Sequence, residues 1–100
     1  MEPNKRKYIG SVEWLACGQS SEWPMYNISV AKKSVSFEFE DADKLLLLVL
    51  KDNGEGQYVG SAAGYNYVGI RSDSDGVVRI QGLYRGLYEG EFKVFICEKS

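Results

Sequence analysis

Apolar and polar residues alternate with period two along most of this chain, which is the rhythm of β-strands. In SVSFEFE, residues 34–40, Val35, Phe37 and Phe39 fall on one face and Ser36, Glu38 and Glu40 on the other. That pattern predicts a half-buried antiparallel strand with an acidic outer face. Residues 8–17 place Tyr8, Val12, Trp14 and Ala16 together, and residues 26–30 do the same for Tyr26, Ile28 and Val30. LLLLVL at 45–50 does not alternate, so it predicts a central strand buried on both faces. A helix over 41–52 is the competing assignment, but the run is short and ends at DNG. The polar stretches at 18–24, 52–56 and 73–76 carry turn residues and read as loops. Segment 57–71 is longer than a typical strand and divides near Gly64. The sum is a single all-β domain over residues 1–100 with about seven or eight strands and no helix, a small antiparallel β-sandwich or partly closed barrel.

The stretch QGLYRGLYEGEF, residues 81–92, repeats a four-residue unit from Gly82, Gly86 and Gly90. Extended, it puts glycines and aromatics on one face. A two-residue turn at Arg85–Gly86 pairs Ile80 with Glu91 and mixes core with charge. A wider turn centred on Leu87 pairs Val78 with Ile96, Ile80 with Val94, Gly82 with Phe92 and Tyr84 with Gly90. The wider turn keeps apolar opposite apolar, and a slip of one residue undoes that. Each aromatic then covers a glycine across the ladder. The repeat is thus explained by hairpin folding.

Composition narrows the function classes. The hydrophobic fraction of 44% is ordinary for a folded domain. The net charge of −2 supplies no overall basic field for nucleic acid, and KRK at 5–7 and KK at 32–33 read as solvated strand ends. LLLLVL is too short to span a bilayer, so no membrane partner is expected. The start of the chain lacks an apolar signal region; a complete chain is expected in the cytoplasm, and one from which a signal was removed would be secreted. Cys17 and Cys97 read as free thiols, the alternative being one bond between the first and last strands in an oxidising compartment. The oligomeric state is not encoded in any visible pattern.

The chain has no histidine. Ser-His-Asp and Cys-His systems and histidine metal sites are therefore ruled out. No phosphate-binding glycine-lysine loop is present. Neither catalysis nor a cofactor is expected. Asp52, Glu55, Asp73 and Asp75, in the two acidic turns, are weak calcium ligands of the right hardness, although neither turn follows the EF-hand spacing. They share one end of the domain if 57–71 forms two strands. In GYNYVGIR, Tyr65, Tyr67 and Arg71 share a face opposite Val68 and Ile70. If Val68 and Ile70 enter the core, the tyrosines and the arginine form an exposed surface of the kind that anchors protein partners. If the tyrosines themselves are core, this face is lost as a site. Trp23, ahead of Pro24 in a polar stretch, is a second exposed aromatic, and Arg85 and Tyr88 sit at the hairpin tip.

The segments FEFEDADKLLLLV, QYVGSAAGYNYVGIR and EFKVFI together resemble the farnesoic acid O-methyltransferase-like domain family. Asp41, Ala42, Tyr58, Gly64, Asn66, Ile70, Arg71, Phe92, Phe95 and Ile96 are the matching positions, spanning about residues 35 to 96. The tryptophan of that family's closing strand is replaced here. The resemblance implies a β-sandwich recognition domain. A methyltransferase generally binds its cofactor between a strand and a helix, and no such unit is visible in this chain. The expected function is a non-catalytic binding module that docks onto a protein partner through Tyr65, Tyr67, Arg71, Trp23, Arg85 and Tyr88, as an inhibitor or adaptor. The alternative is a carbohydrate-binding, lectin-like domain that uses Tyr65, Tyr67 and Trp23.

Overall fold

The computed structural model describes residues 8–99, so the KRK stretch lies outside the described residues. Nine strands follow one another: β1 (Tyr8–Ala16), β2 (Gln19–Pro24), β3 (Tyr26–Val30), β4 (Ser34–Asp41), β5 (Lys44–Asp52), β6 (Tyr58–Ala62), β7 (Tyr65–Ser74), β8 (Val77–Arg85) and β9 (Glu89–Glu98). They form one antiparallel sheet in the order β2-β1-β9-β8-β7-β6-β5-β4-β3. Its two edge strands, β2 and β3, are consecutive in sequence and separated only by Met25, whose N–H donates to the Gly10 carbonyl oxygen at 3.2 Å. The sheet therefore curls into a nearly closed barrel, joined through one bent segment. Near-closure leaves only β2 and β3 as edges, which limits the open strand edge that invites other chains to pair. No helix occurs among the described residues, and none is long and apolar enough to cross a membrane.

Turn chemistry sets the register. Cys17–Gly18, Ala42–Asp43, Ala63–Gly64 and Asp75–Gly76 each have positive φ at both residues. Each links strands paired immediately on either side, as Ser74 with Val77 and Ala62 with Tyr65. This is the two-residue turn whose twist matches that of the strands. The division near Gly64 follows from it. The β8–β9 hairpin has the wider turn and the expected pairs: Val78 with Ile96, Ile80 with Val94, Gly82 with Phe92 and Tyr84 with Gly90. Gly69 and Gly82 also face each other across β7 and β8. A Cβ on Gly82 would run into the Val68 carbonyl oxygen, so the sheet bends tightly here only because a side chain is missing.

Inward positions of every long strand meet in one core. Val12, Val35, Phe37, Leu48, Leu50, Ile80, Phe92, Val94 and Ile96 are almost wholly buried. Several expectations need correction. The polar stretch at 18–24 is not a loop, because its backbone pairs with β1 from Gln19 to Pro24. The leucine run is not buried on both faces. Leu46, Leu48 and Leu50 point inward, while Leu45 and Leu47 are 55% and 54% exposed, because a barrel strand has one core face and nothing covers the other. Tyr26 lies outside, away from Ile28, because the register shifts between Tyr26 and Ser29 at Asn27, whose φ is positive.

Pairing between β5 and β6 covers only Lys51–Val59 and Asp52–Tyr58. The Cys17, Ala42, Ala63 and Leu87 turns all lie at one end of the barrel. That end is its mouth. The floor is the end with the acidic turns.

Candidate functional site

Inward-facing residues change character along the barrel. Mid-barrel they are aliphatic, with Phe37 and Phe92. Nearer the mouth they become Trp14, Trp23, Phe39, Tyr65, Tyr67 and Tyr84, around a cavity of about 540 Å³. This volume lies in the range of small-ligand sites. Trp14 is the hub. Its ring lies 5.5 Å from Trp23, 5.5 Å from Phe39, 5.9 Å from Tyr67 and 5.5 Å from Tyr84, in edge-on or tilted arrangements. Edge-to-face packing is the favourable geometry for rings that cannot stack flat. Such rings hold one another in place, so the wall is preformed.

Few polar groups interrupt this wall. Gln19, Ser20 and Ser21 of β2 line one side, with Asp41 at the end of β4 and Glu89 at the start of β9. Asp41 continues the inward phase of Val35, Phe37 and Phe39, which aims it into the mouth. Trp14 Nε1 is buried without a hydrogen-bond partner among the described residues. Burial, first, and the neighbouring Tyr65, Tyr84 and Asp41 push the Tyr67 phenol up to about 12, so it stays protonated and able to donate at neutral pH. Burial, before other causes, also raises Tyr84.

The expected site residues separate into two groups. Tyr65, Tyr67, Trp23 and Tyr88 all line the mouth. Arg85 lies on the outer rim, where it meets Glu89 at 3.1 Å. Of the two faces open to β7 from the sequence, the tyrosine face is the inward one. Val68 and Ile70 are 40% and 58% exposed, whereas Tyr67 is only 5% exposed. Tyr67 sits opposite Tyr84, and both follow the inward phase set by Val78 and Ile80. Trp23 is likewise half-buried and turned inward from β2 rather than standing free in a loop.

Arg71 leaves the group altogether. It lies at the floor, where its guanidinium donates to Asp73 through Nε and Nη2, each at 2.9 Å. Nη1 donates to the Ala31 carbonyl at 2.8 Å and to the Tyr58 hydroxyl at 2.9 Å. The Tyr58 hydroxyl in turn donates to the Lys32 carbonyl at 3.2 Å. Arg71 thus ties β7 to the β3–β4 turn across the bottom of the barrel. A wider dish of about 680 Å³ lies there, lined by Tyr8, Lys32, Asp52, Tyr58, Arg71 and Asp73, but its half-buried cation is already engaged. The two acidic turns do share this end, as the division of 57–71 requires. Even so, Asp52, Glu55, Asp73 and Asp75 form no group of three or more metal-ligating side chains among the described residues. Asp52 caps the Gly54 N–H of its own turn and Asp73 holds Arg71.

Cys17 borders the mouth in the β1–β2 turn, while Cys97 pairs with Ile9 near the floor. Both are free. About eight strand residues, roughly 26 Å at the usual rise, separate them, far beyond the span of a disulfide.

Trp14, Phe39, Leu46, Asp41 and Tyr84 complete the mouth, and reading the sequence for exposed aromatics did not find them as a site. Compared with known protein families, curated proteins and solved structures, the chain matches none.

Proposed function

We propose that this chain is a non-catalytic binding module that docks onto a protein partner with the rim of the barrel and takes part of that partner into the aromatic mouth, as an inhibitor or adaptor does. The observation that carries this reading is continuity between the mouth and the exposed hairpin tip beside it. Leu87 and Tyr88 are 83% and 67% exposed, and Tyr88 also lines the cavity. An apolar ledge leading into an aromatic pocket suits a macromolecule that presents a projecting group, with the buried rings as anchors and the rim as the surrounding seal. Arg85, salt-bridged at the rim, contributes orientation more than affinity.

Carbohydrate is the second reading. Tyr65, Tyr67 and Trp23 share one mouth with Gln19, Ser20 and Ser21, so aromatic rings and neutral hydrogen-bonding groups stand together. Glycan-array binding and affinity capture with matched variants separate the two. Leu87→Ser with Tyr88→Ser alters only exposed side chains. It is expected to abolish capture of a protein that the native chain retains, whereas Lys32→Ser at the floor retains it. Saturable binding to a glycan, unaffected by the rim variant, would replace the first reading with the second.

A further inference from the structure

Charge is distributed unevenly around the mouth. Two carboxylates, Asp41 and Glu89, line it, and no lysine or arginine does among the described residues. Glu89 is matched outside by Arg85, but Asp41 forms no ion pair among the described residues. An anionic ligand would meet repulsion from Asp41. A cation gains from Asp41, and the aromatic side chains that supply much of the wall attract ammonium groups through their electron-rich faces, most strongly where water is excluded.

Resting on the proposed docking function, we propose that the group taken into the mouth is the alkylammonium head of a lysine on the protein partner, which carries its charge at the end of a stem long enough to reach past the rim. A methylated lysine fits better than a free one, because its head sheds water more easily on entering an aromatic pocket. The remaining lysine stem is apolar and lies against Leu46 and Phe39 in the cavity wall.

The two tryptophans of the chain, Trp14 and Trp23, both line the cavity, so intrinsic fluorescence reports directly on its occupation. The probes are short capped peptides of one frame, carrying at the central position trimethyl-lysine, lysine, norleucine or glutamate, together with free choline. The trimethyl-lysine peptide is expected to quench most strongly, the lysine peptide next, and norleucine to bind about tenfold more weakly than trimethyl-lysine. Glutamate is expected to be weakest, and choline weaker than the trimethyl-lysine peptide. Asp41→Asn is expected to narrow the gap between lysine and norleucine, and added salt to narrow it in the native chain. Norleucine or glutamate binding within a factor of about two of lysine would overturn the cation assignment while leaving the docking function standing. Choline binding as tightly as the trimethyl-lysine peptide would overturn the assignment to a protein side chain. Silence from every peptide, with the rim variant also still capturing the partner, would overturn both readings.

Discussion

Tyr67→Ala tests how the mouth is built. Tyr67 is 5% exposed, and its ring meets Trp14 at 5.9 Å, Tyr84 at 6.2 Å and Phe92 at 5.4 Å. Each such pair adds about 0.5–1.5 kcal/mol beyond the area it buries. Truncating a buried aromatic to alanine costs about 3–5 kcal/mol. Because the void left by Tyr67 opens on the mouth, water fills it, and the loss belongs at the low end, about 3 kcal/mol. For a domain of this length that lowers the midpoint by roughly 12–24 °C. Urea and thermal unfolding of the variant give both quantities. Tyr67→Phe keeps the ring and is expected to stay within about 1 kcal/mol of the native chain. A Tyr67→Ala loss below about 1 kcal/mol would mean that the ring stands in solvent. It would also return Val68 and Ile70 to the core and remove the aromatic mouth as described.

Three other outcomes follow from the same geometry. Below pH 10 the Tyr67 phenol is protonated whether folded or not. Between pH 10 and about 12 only the folded chain keeps the proton, so stability falls as pH rises through that window. The gap sets a ceiling near 2.7 kcal/mol, reduced to about 1–2 kcal/mol by water reaching the mouth; urea melts of native and Tyr67→Phe chains at successive pH values should diverge there, and parallel curves would disprove the shift. Gly82→Ala forces a methyl group against the β7 backbone and is expected to cost about 3 kcal/mol or more, with a change under 1 kcal/mol in denaturant unfolding refuting the tight bend. In reductant-free buffer a thiol reagent should modify Cys17 quickly and Cys97 slowly in the native chain, and both on denaturation; a protected pair would contradict the placement of the two at opposite ends.

The hairpin of β8 and β9 was fully legible because its glycines and aromatics permit only one register that keeps charge out of the core. The face of β7 stayed open because Val68 and Ile70 look like core residues and tyrosine is ambiguous. The signal that resolves it lay four residues further on. Asp75-Gly76 is a two-residue turn, and counting outward from it places Arg71 opposite Ile80, Gly69 opposite Gly82 and Tyr67 opposite Tyr84. Once Ile80 is core, Tyr67 must be inside. The leucine run hid its alternation because both faces carry the same residue type. In the sequence Trp14 only shares a face with Tyr8, Val12 and Ala16, and nothing local to residue 14 reveals that Trp23, Phe39, Tyr67 and Tyr84 gather with it around a cavity. That gathering depends on the curl of the sheet, which has no sequence motif.

The meander also dictates an order of folding. Each strand finds its neighbour through a hairpin of a few residues, with one exception: β1 pairs with β9, and their nearest partners, Leu15 and Glu91, are about 75 residues apart. Closing that loop costs roughly 2–3 kcal/mol more chain entropy than closing the turn between Arg85 and Glu89. The β1–β9 seam is therefore the last to form and the first to part. Substitutions along it, such as Val12→Ala or Val94→Ala, should quicken unfolding while barely slowing refolding. Since Trp14 lies on that seam beside Phe92, the mouth comes into existence only at the final step, and an incompletely folded chain has nothing with which to bind.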